Sequence, residues 1–205
     1  MQPDEQAGRA GHYTRGRFLR TAAAGGAVFA GGVAIGSRGD DLTSHAAADR
    51  TTDAKILNVM LMLEYAQEGF YRQALDKAGL QGDLLDYAKA VVEQEAQHAA
   101  FLEKQLGARA EARSRSTPGD AVGNPERFAE AAIDLEEAAI SVYIGQAANL
   151  TRGMAGRVAT LVSVEARQVA WLRDIAGVPP APRAADPGRQ ADTVIDELRR
   201  KGLLA

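Results

Sequence analysis

The chain has no cysteine, which excludes disulfides, thiolate-held zinc, iron–sulfur clusters and a lipoprotein anchor. Any metal must therefore be held by oxygen and imidazole ligands. Histidine is almost as scarce: of 3 in the chain, His12 and His45 lie in the amino-terminal region, where no periodic pattern surrounds them. Aromatic residues make up 5%, the net charge is only -3, and no Lys/Arg cluster is interleaved with aromatics. The electrostatic footprint of a nucleic-acid binder is thus missing, and no nucleic-acid partner is expected. No stretch shows the alternation of a half-buried strand. What is present is 46% hydrophobic and 25% charged residues in 205, enough for one ordinary core and one domain.

At the amino terminus, "TRGRFLR" precedes "TAAAGGAVFAGGVAIG", an uncharged run too short to span a membrane and rich in Gly and Ala. A basic segment before such a run reads as a signal peptide over residues 1–36, with "AIG" before Ser37 as the cleavage site. It resembles a twin-arginine signal, with Arg15, Arg17, Phe18, Leu19 and Arg20 in place and Gly16 where the second arginine of the pair belongs. The implied location is outside the cytoplasm: extracellular, cell envelope or periplasm. Signal removal would leave no stable membrane span. Residues 37–51 are polar and aperiodic and read as a disordered linker.

The folded region is expected at 52–178. Thr52 or Asp53 can cap a first helix whose apolar stripe runs through Leu57, Leu61, Tyr71 and Leu75 to a stop at "GLQGD". A second stripe, Leu84, Ala88, Val91 and Leu102, ends near Gly107. "GARAEARSRSTPGDAVGN" follows without apolar period, and Asn124 with Pro125 opens a third helix through Phe128, Ala132, Ala139, Tyr143 and Leu150. After "TRGMAGR" a fourth runs through Val158, Leu161, Leu172 and Ile175 to "GVPPAPRAADPG". Phe101 and Trp171 are expected in or beside the core. Residues 179–205 are a Pro-rich segment and a short helix that docks outside.

Short, long and short connections order these helices. A short turn makes neighbours antiparallel, whereas the central loop reaches about 60 Å and can cross a whole bundle. The fold class expected is all-α: a four-helix bundle of two antiparallel hairpins joined by one long crossover.

Each stripe is interrupted at its middle. The first helix has "LEYAQEGFY", with Glu64 and Tyr71 two turns apart; the third has "LEEAAISVY", with Glu136 and Tyr143 at the same interval. The second has "EAQH", Glu95 and His98, and the fourth "EARQ", Glu165 and Gln168, each pair on one helix face. The chain is thus a twofold repeat: Glu-x6-Tyr, then Glu-x2-His or Gln. Carboxylates inside a bundle are costly unless paired or coordinated, and Arg72, Arg152 and Arg167 fall off the stripes. Two divalent cations would balance four carboxylates. Glu64 and Glu136 would bridge or flank them, with Glu95, His98, Glu165 and Gln168 supplying the remaining ligands, and Tyr71 and Tyr143 hydrogen-bonding ligand carboxylates. Glu68, one turn after Glu64, either reaches the site as a supporting group or faces solvent.

These residues resemble the ferritin-like superfamily, and within it the exported branch of plant desiccation-related and bacterial ferritin-like-domain proteins. The resemblance is carried by "ILNVMLMLEYAQEGFYRQAL", "EQEAQHAAFLEKQLG", "AAIDLEEAAISVYIGQA" and "VEARQVAWLRDIAG". It implies di-metal ligands at Glu64, Glu95, His98, Glu136 and Glu165, and a di-iron cofactor, with manganese or an empty site as alternatives. Gln168 stands where the symmetric pattern has a second histidine; animal ferritins also carry a glutamine on the fourth helix, beside their weaker metal position. The partners implied are metal ions with dioxygen or peroxide, and a homo-oligomer is compatible with the pattern. Two functions follow: a di-iron protein oxidising ferrous iron or reacting with oxygen or peroxide in stress protection, or a non-catalytic stress-associated bundle. A storage cage is disfavoured by the prolines that follow the fourth helix.

Overall fold

Asp49 starts the first helix, earlier than the expected Thr52 or Asp53. Its side chain is the cap, accepting from the backbone N–H groups of Thr51 at 2.8 Å and Thr52 at 2.7 Å. Asp53 has other work: its carboxylate accepts from the backbone N–H of Thr151 at 2.8 Å and from the Thr151 hydroxyl at 2.6 Å. The acidic residue expected to cap this end is therefore spent on pinning the start of another helix. The structure, a computed structural model, describes residues 49–113 and 118–204. The expected signal peptide, residues 1–36, and most of the expected linker lie outside these residues.

Four long helices follow: α1 (Arg50–Lys77), α2 (Gly82–Leu106), α3 (Pro125–Gln146) and α4 (Arg152–Ile175), with a shorter α5 (Ala191–Arg200) after them. Among the described residues there is no strand, and no helix is long and apolar enough to cross a membrane. At 28 residues α1 is about 42 Å long. Asn124 caps α3 through a 2.9 Å bond from the Arg127 N–H, and Pro125 takes the first helical position, where its missing N–H costs nothing.

Side-chain pairs fix the topology. Along α1 and α2, Tyr65 meets Glu103 and Tyr71 meets Tyr87; along α1 and α3, Gln67 meets Glu136 and Glu64 meets Tyr143; along α2 and α4, Gln94 meets Gln168 and Gln105 meets Arg157. In each pairing one residue number rises as the other falls, so these neighbours are antiparallel. Helix α3 thus runs with α2, and residues 107–124 must return the length of the bundle between them. The described residues 107–113 lie along α1: Asn58 donates to the Arg109 carbonyl at 2.9 Å and accepts from the Glu111 N–H at 3.0 Å, while Arg113 reaches Glu68.

The interior has an apolar region toward each end. One gathers Phe70, Tyr71, Tyr87, Phe128, Leu135 and Leu172; the other gathers Leu57, Met60, Leu61, Leu102, Tyr143 and Leu161. On each of the four long helices buried polar residues fall at the boundary between the two, Asp53 at the start of α1 and Ser141 of α3 apart. Leu75, Leu84, Ile175 and Phe101 are only partly buried against these regions, at their rim. Trp171 lies beside the core, 41% exposed, with its ring edge-on to Tyr87 at 5.0 Å.

The tail is tied down by α5, which buries Val194, Ile195 and Leu198 against α3. The segment before it comes so close to α3 that the Arg189 N–H donates to the Ser141 carbonyl at 2.8 Å. Gly145 makes this approach possible, because a Cβ there would collide with the Arg189 backbone carbonyl. Gly145→Ala is expected to lift residues 188–204 from α3 and to cost about 1–3 kcal/mol. Faster amide exchange confined to that segment, with the four long helices unchanged, is the check.

Candidate metal centre

Four carboxylates without solvent contact, Glu64, Glu95, Glu136 and Glu165, lie in the layer between the apolar ends, each 0% exposed. His98, Gln168 and Gln67 are buried with them. The i, i+3 spacing delivers Glu95 and His98 from one face of α2, and Glu165 and Gln168 from one face of α4. Glu64 and Glu136 come from the midpoints of α1 and α3.

The layer divides into two sides. On the first, His98 Nδ1 lies 2.7 Å from Glu165 Oε1, 3.3 Å from Glu95 Oε2 and 3.4 Å from Glu64 Oε2. None of these contacts is aligned for a hydrogen bond from the ring, and all four atoms lack a hydrogen-bond partner. Each of these four residues can direct one ligand atom to a common point, with all those atoms within 4.8 Å of one another. Buried polar atoms are almost always satisfied, so four converging orphans form a place that a cation could fill. Three carboxylate oxygens and an imidazole nitrogen suit iron or manganese.

On the second side the carboxylate oxygens are satisfied by protein. Glu136 Oε2 accepts from Gln67 Nε2 at 3.0 Å, and Glu165 Oε2 from the same nitrogen at 3.3 Å. Gln168 Nε2 donates to Glu95 Oε1 at 2.8 Å and to Gln94 Oε1 at 2.9 Å. Glu95 and Glu165 therefore each send one oxygen to either side.

Tyr71 and Tyr143 act crosswise between the hairpins. Tyr71 of α1 donates to Glu136 of α3, and Tyr143 of α3 donates to Glu64 of α1. Burial, then the facing carboxylate, holds both phenols well above their ordinary pKa, so they remain donors. Tyr71 also contacts the Tyr87 hydroxyl at 3.1 Å.

Burial pushes the carboxyls of Glu95, Glu136 and Glu165 up, and neighbouring carboxylates push them further: Glu165 acts on Glu95 and Glu136, and Glu64 acts on Glu165. Burial alone would lower the His98 imidazole, but contacts with Glu165, Glu64 and Glu95 outweigh it and raise it above its usual range. The cluster thus holds protons where no cation balances its charge.

Glu68 does not join the cluster. It is buried, yet its partners are Arg72 of the same helix and Arg113 of the crossover, and Arg113 also lies over the Tyr65 ring at 4.3 Å. Burial raises the Glu68 carboxyl, but the two guanidinium groups prevail and hold it below the ordinary value. Its role is to fasten the crossover to α1. Gln67 is the residue that the sequence reading missed, although "EYAQ" has the same i, i+3 interval as "EAQH" and "EARQ" and so carried the signal.

No curated protein matches the chain closely enough to be counted a relative. A family model described as a ferritin-like domain matches residues 52–178, the four long helices and their crossover. That match covers more than half of the chain, and the all-helical fold with its buried carboxylate layer agrees with it; the protein belongs to the ferritin-like domain family.

Proposed function

We propose that this protein is an exported ferritin-like protein that binds iron, or manganese in its place, and reacts with dioxygen or peroxide, for instance by oxidising ferrous iron as part of stress protection. The observation that carries the reading is the convergence of Glu64 Oε2, Glu95 Oε2, Glu165 Oε1 and His98 Nδ1, all buried and all without a hydrogen-bond partner. The di-iron form, bridged by carboxylates, would use Glu136 and Gln168 as well. The bound metal would supply the electron transfer to the oxidant. The chain would orient the ligands: Tyr143 fixes Glu64 and Tyr71 fixes Glu136, leaving each carboxylate one oxygen to direct elsewhere. The two apolar regions keep bulk water from both ends of the layer.

Export rests on the basic and apolar amino-terminal segment, and its test is fractionation of the natural host, with mature protein outside the cytoplasm as the supporting result. For the chemistry, metal-free protein given ferrous iron under air should retain iron and oxidise it faster than buffer. Glu95→Ala combined with His98→Ala should lose both properties. Unchanged retention and rate in that variant would remove the proposal.

A second reading, a non-catalytic bundle in stress protection, is favoured by one observation: amides rather than an imidazole face Glu95 and Glu136 on the second side. It requires a melting temperature indifferent to chelator and only trace metal in purified protein.

A further inference from the structure

We infer that the centre holds a single divalent cation, on the side of Glu64 and His98, and that the carboxamides of Gln67 and Gln168 stand where a second cation would be. The inference rests on the metal-binding reading above and deepens it by fixing how many ions the layer takes.

The two sides differ atom by atom. Every first-side ligand atom lacks a partner: Glu64 Oε2, Glu95 Oε2, Glu165 Oε1 and His98 Nδ1. Every second-side oxygen of the same carboxylates, together with both oxygens of Glu136, already accepts a hydrogen bond. Gln168 serves Glu95 Oε1, Gln67 serves Glu165 Oε2 and Glu136 Oε2, and Tyr71 serves Glu136 Oε1. An amide NH2 presents two donors from one nitrogen, so Gln67 Nε2 can span two carboxylates as a bridging ion would, without the charge.

The internal repeat locates the cause. Gln67 follows Glu64 by three residues on α1; the residue three after Glu136 on α3 is Ala139, also fully buried. The first hairpin thus sends an amide toward the second side, while the second hairpin sends nothing toward the first. At the corresponding positions of α2 and α4, His98 offers an imidazole to the first side and Gln168 an amide to the second. Both departures from twofold symmetry act on the same side and in the same sense: each replaces a place for a cation with a hydrogen-bond donor. The carbonyl oxygens of both amides are buried without partners. Turning either amide over would set its oxygen against carboxylate oxygens, an arrangement that needs a cation or a proton between them.

Mn²⁺ is the probe for the test, because it keeps its oxidation state under air at neutral pH and its electron paramagnetic resonance spectrum distinguishes an isolated ion from a coupled pair. Metal-free full-length protein is titrated by equilibrium dialysis, and metal per chain and the spectrum are recorded together. The wild-type protein is expected to saturate at one ion per chain with the hyperfine pattern of an isolated ion. Gln67→Ala with Gln168→His, which gives each hairpin the other's residues, is expected to take up two with the spectrum of a coupled pair. Gln67→Ala alone copies the side chain already present at Ala139 and is expected to bind a second ion more weakly; its metal-free melting curve checks the fold. Two ions in the wild-type protein would overturn the single-ion inference and leave metal binding standing. Uptake of no ion by the wild-type protein would overturn both. Variants that saturate like the wild type would show that the amides do not block the second position and would overturn the inference.

Discussion

Glu165→Gln is expected to leave the metal-free protein at least as stable as the wild type and to abolish the stabilisation that metal brings. In the absence of metal Glu165 is a fully buried carboxyl raised by burial and by Glu64. An isosteric amide removes that cost, and Glu64 and Glu95 still face His98. With metal the sign reverses, because the variant has lost the charge of a ligand carboxylate and one of its two oxygens. For the wild type, free metal at 100 times its dissociation constant adds about 2.7 kcal/mol. In a domain of this size that is about 5–10 °C of Tm.

The same stabilisation should depend on pH. Glu95, Glu136 and Glu165 start from an ordinary value of 4.5, His98 starts from 6.5, and the fold raises all of them. Each therefore contributes stability to the metal-free protein that is complete below its unfolded pKa and is lost as pH rises through the folded one. Metal binding displaces those protons, so its affinity grows in the opposite direction. The gap in Tm between metal-loaded and chelated wild-type protein should be small near pH 5 and widen toward about pH 8. Thermal melts of both proteins at several pH values decide this. A gap that is constant with pH, or a Glu165→Gln variant that still gains from metal, would count against the centre.

Phe128→Ala should cost about 3–5 kcal/mol, the usual loss for a large aromatic removed from a closed core. Phe128 is fully buried, stacked on Phe70 at 5.6 Å and edge-on to Tyr71 at 5.9 Å. Its loss lowers Tm by about 6–20 °C in a domain of this size. The cavity would also lie against the ring of Tyr71, whose hydroxyl holds Glu136. Metal binding by Glu64, Glu95, His98 and Glu165 is expected to persist in the folded fraction, since the rings packed on Phe128 are those of Phe70 and Tyr71, neither of which belongs to that group. Chemical denaturation with parallel metal titration separates the two effects. A fall in stability under about 1 kcal/mol would mean that this end of the bundle repacks freely.

The helices were legible because apolar period, capping residues and Gly/Pro stops act within a few turns of chain. The twofold repeat was legible for the same reason: Glu64, Glu136, Glu95, His98, Glu165 and Gln168 each interrupt a local stripe, and burial of a charge is visible as an exception to the pattern. The start of α1 was misplaced because Thr52 and Asp53 are both good caps by composition, and only the contact with Thr151 shows that Asp53 is engaged elsewhere.

By itself the sequence determined an all-helical bundle of two related hairpins and, Gln67 apart, the polar residues forced into its middle layer. Only the tertiary structure decided the partners: Tyr71 with Glu136 and Tyr143 with Glu64 across the hairpins, Glu68 with Arg113 of the crossover, and Gln67 between Glu136 and Glu165. The physical reason is that helical periodicity fixes which face a side chain occupies, whereas the oxygen it offers and the atom it meets depend on the neighbouring helix. Two carboxylates can share a layer and still differ in which oxygen is free, and that difference separates the first side of this centre from the second.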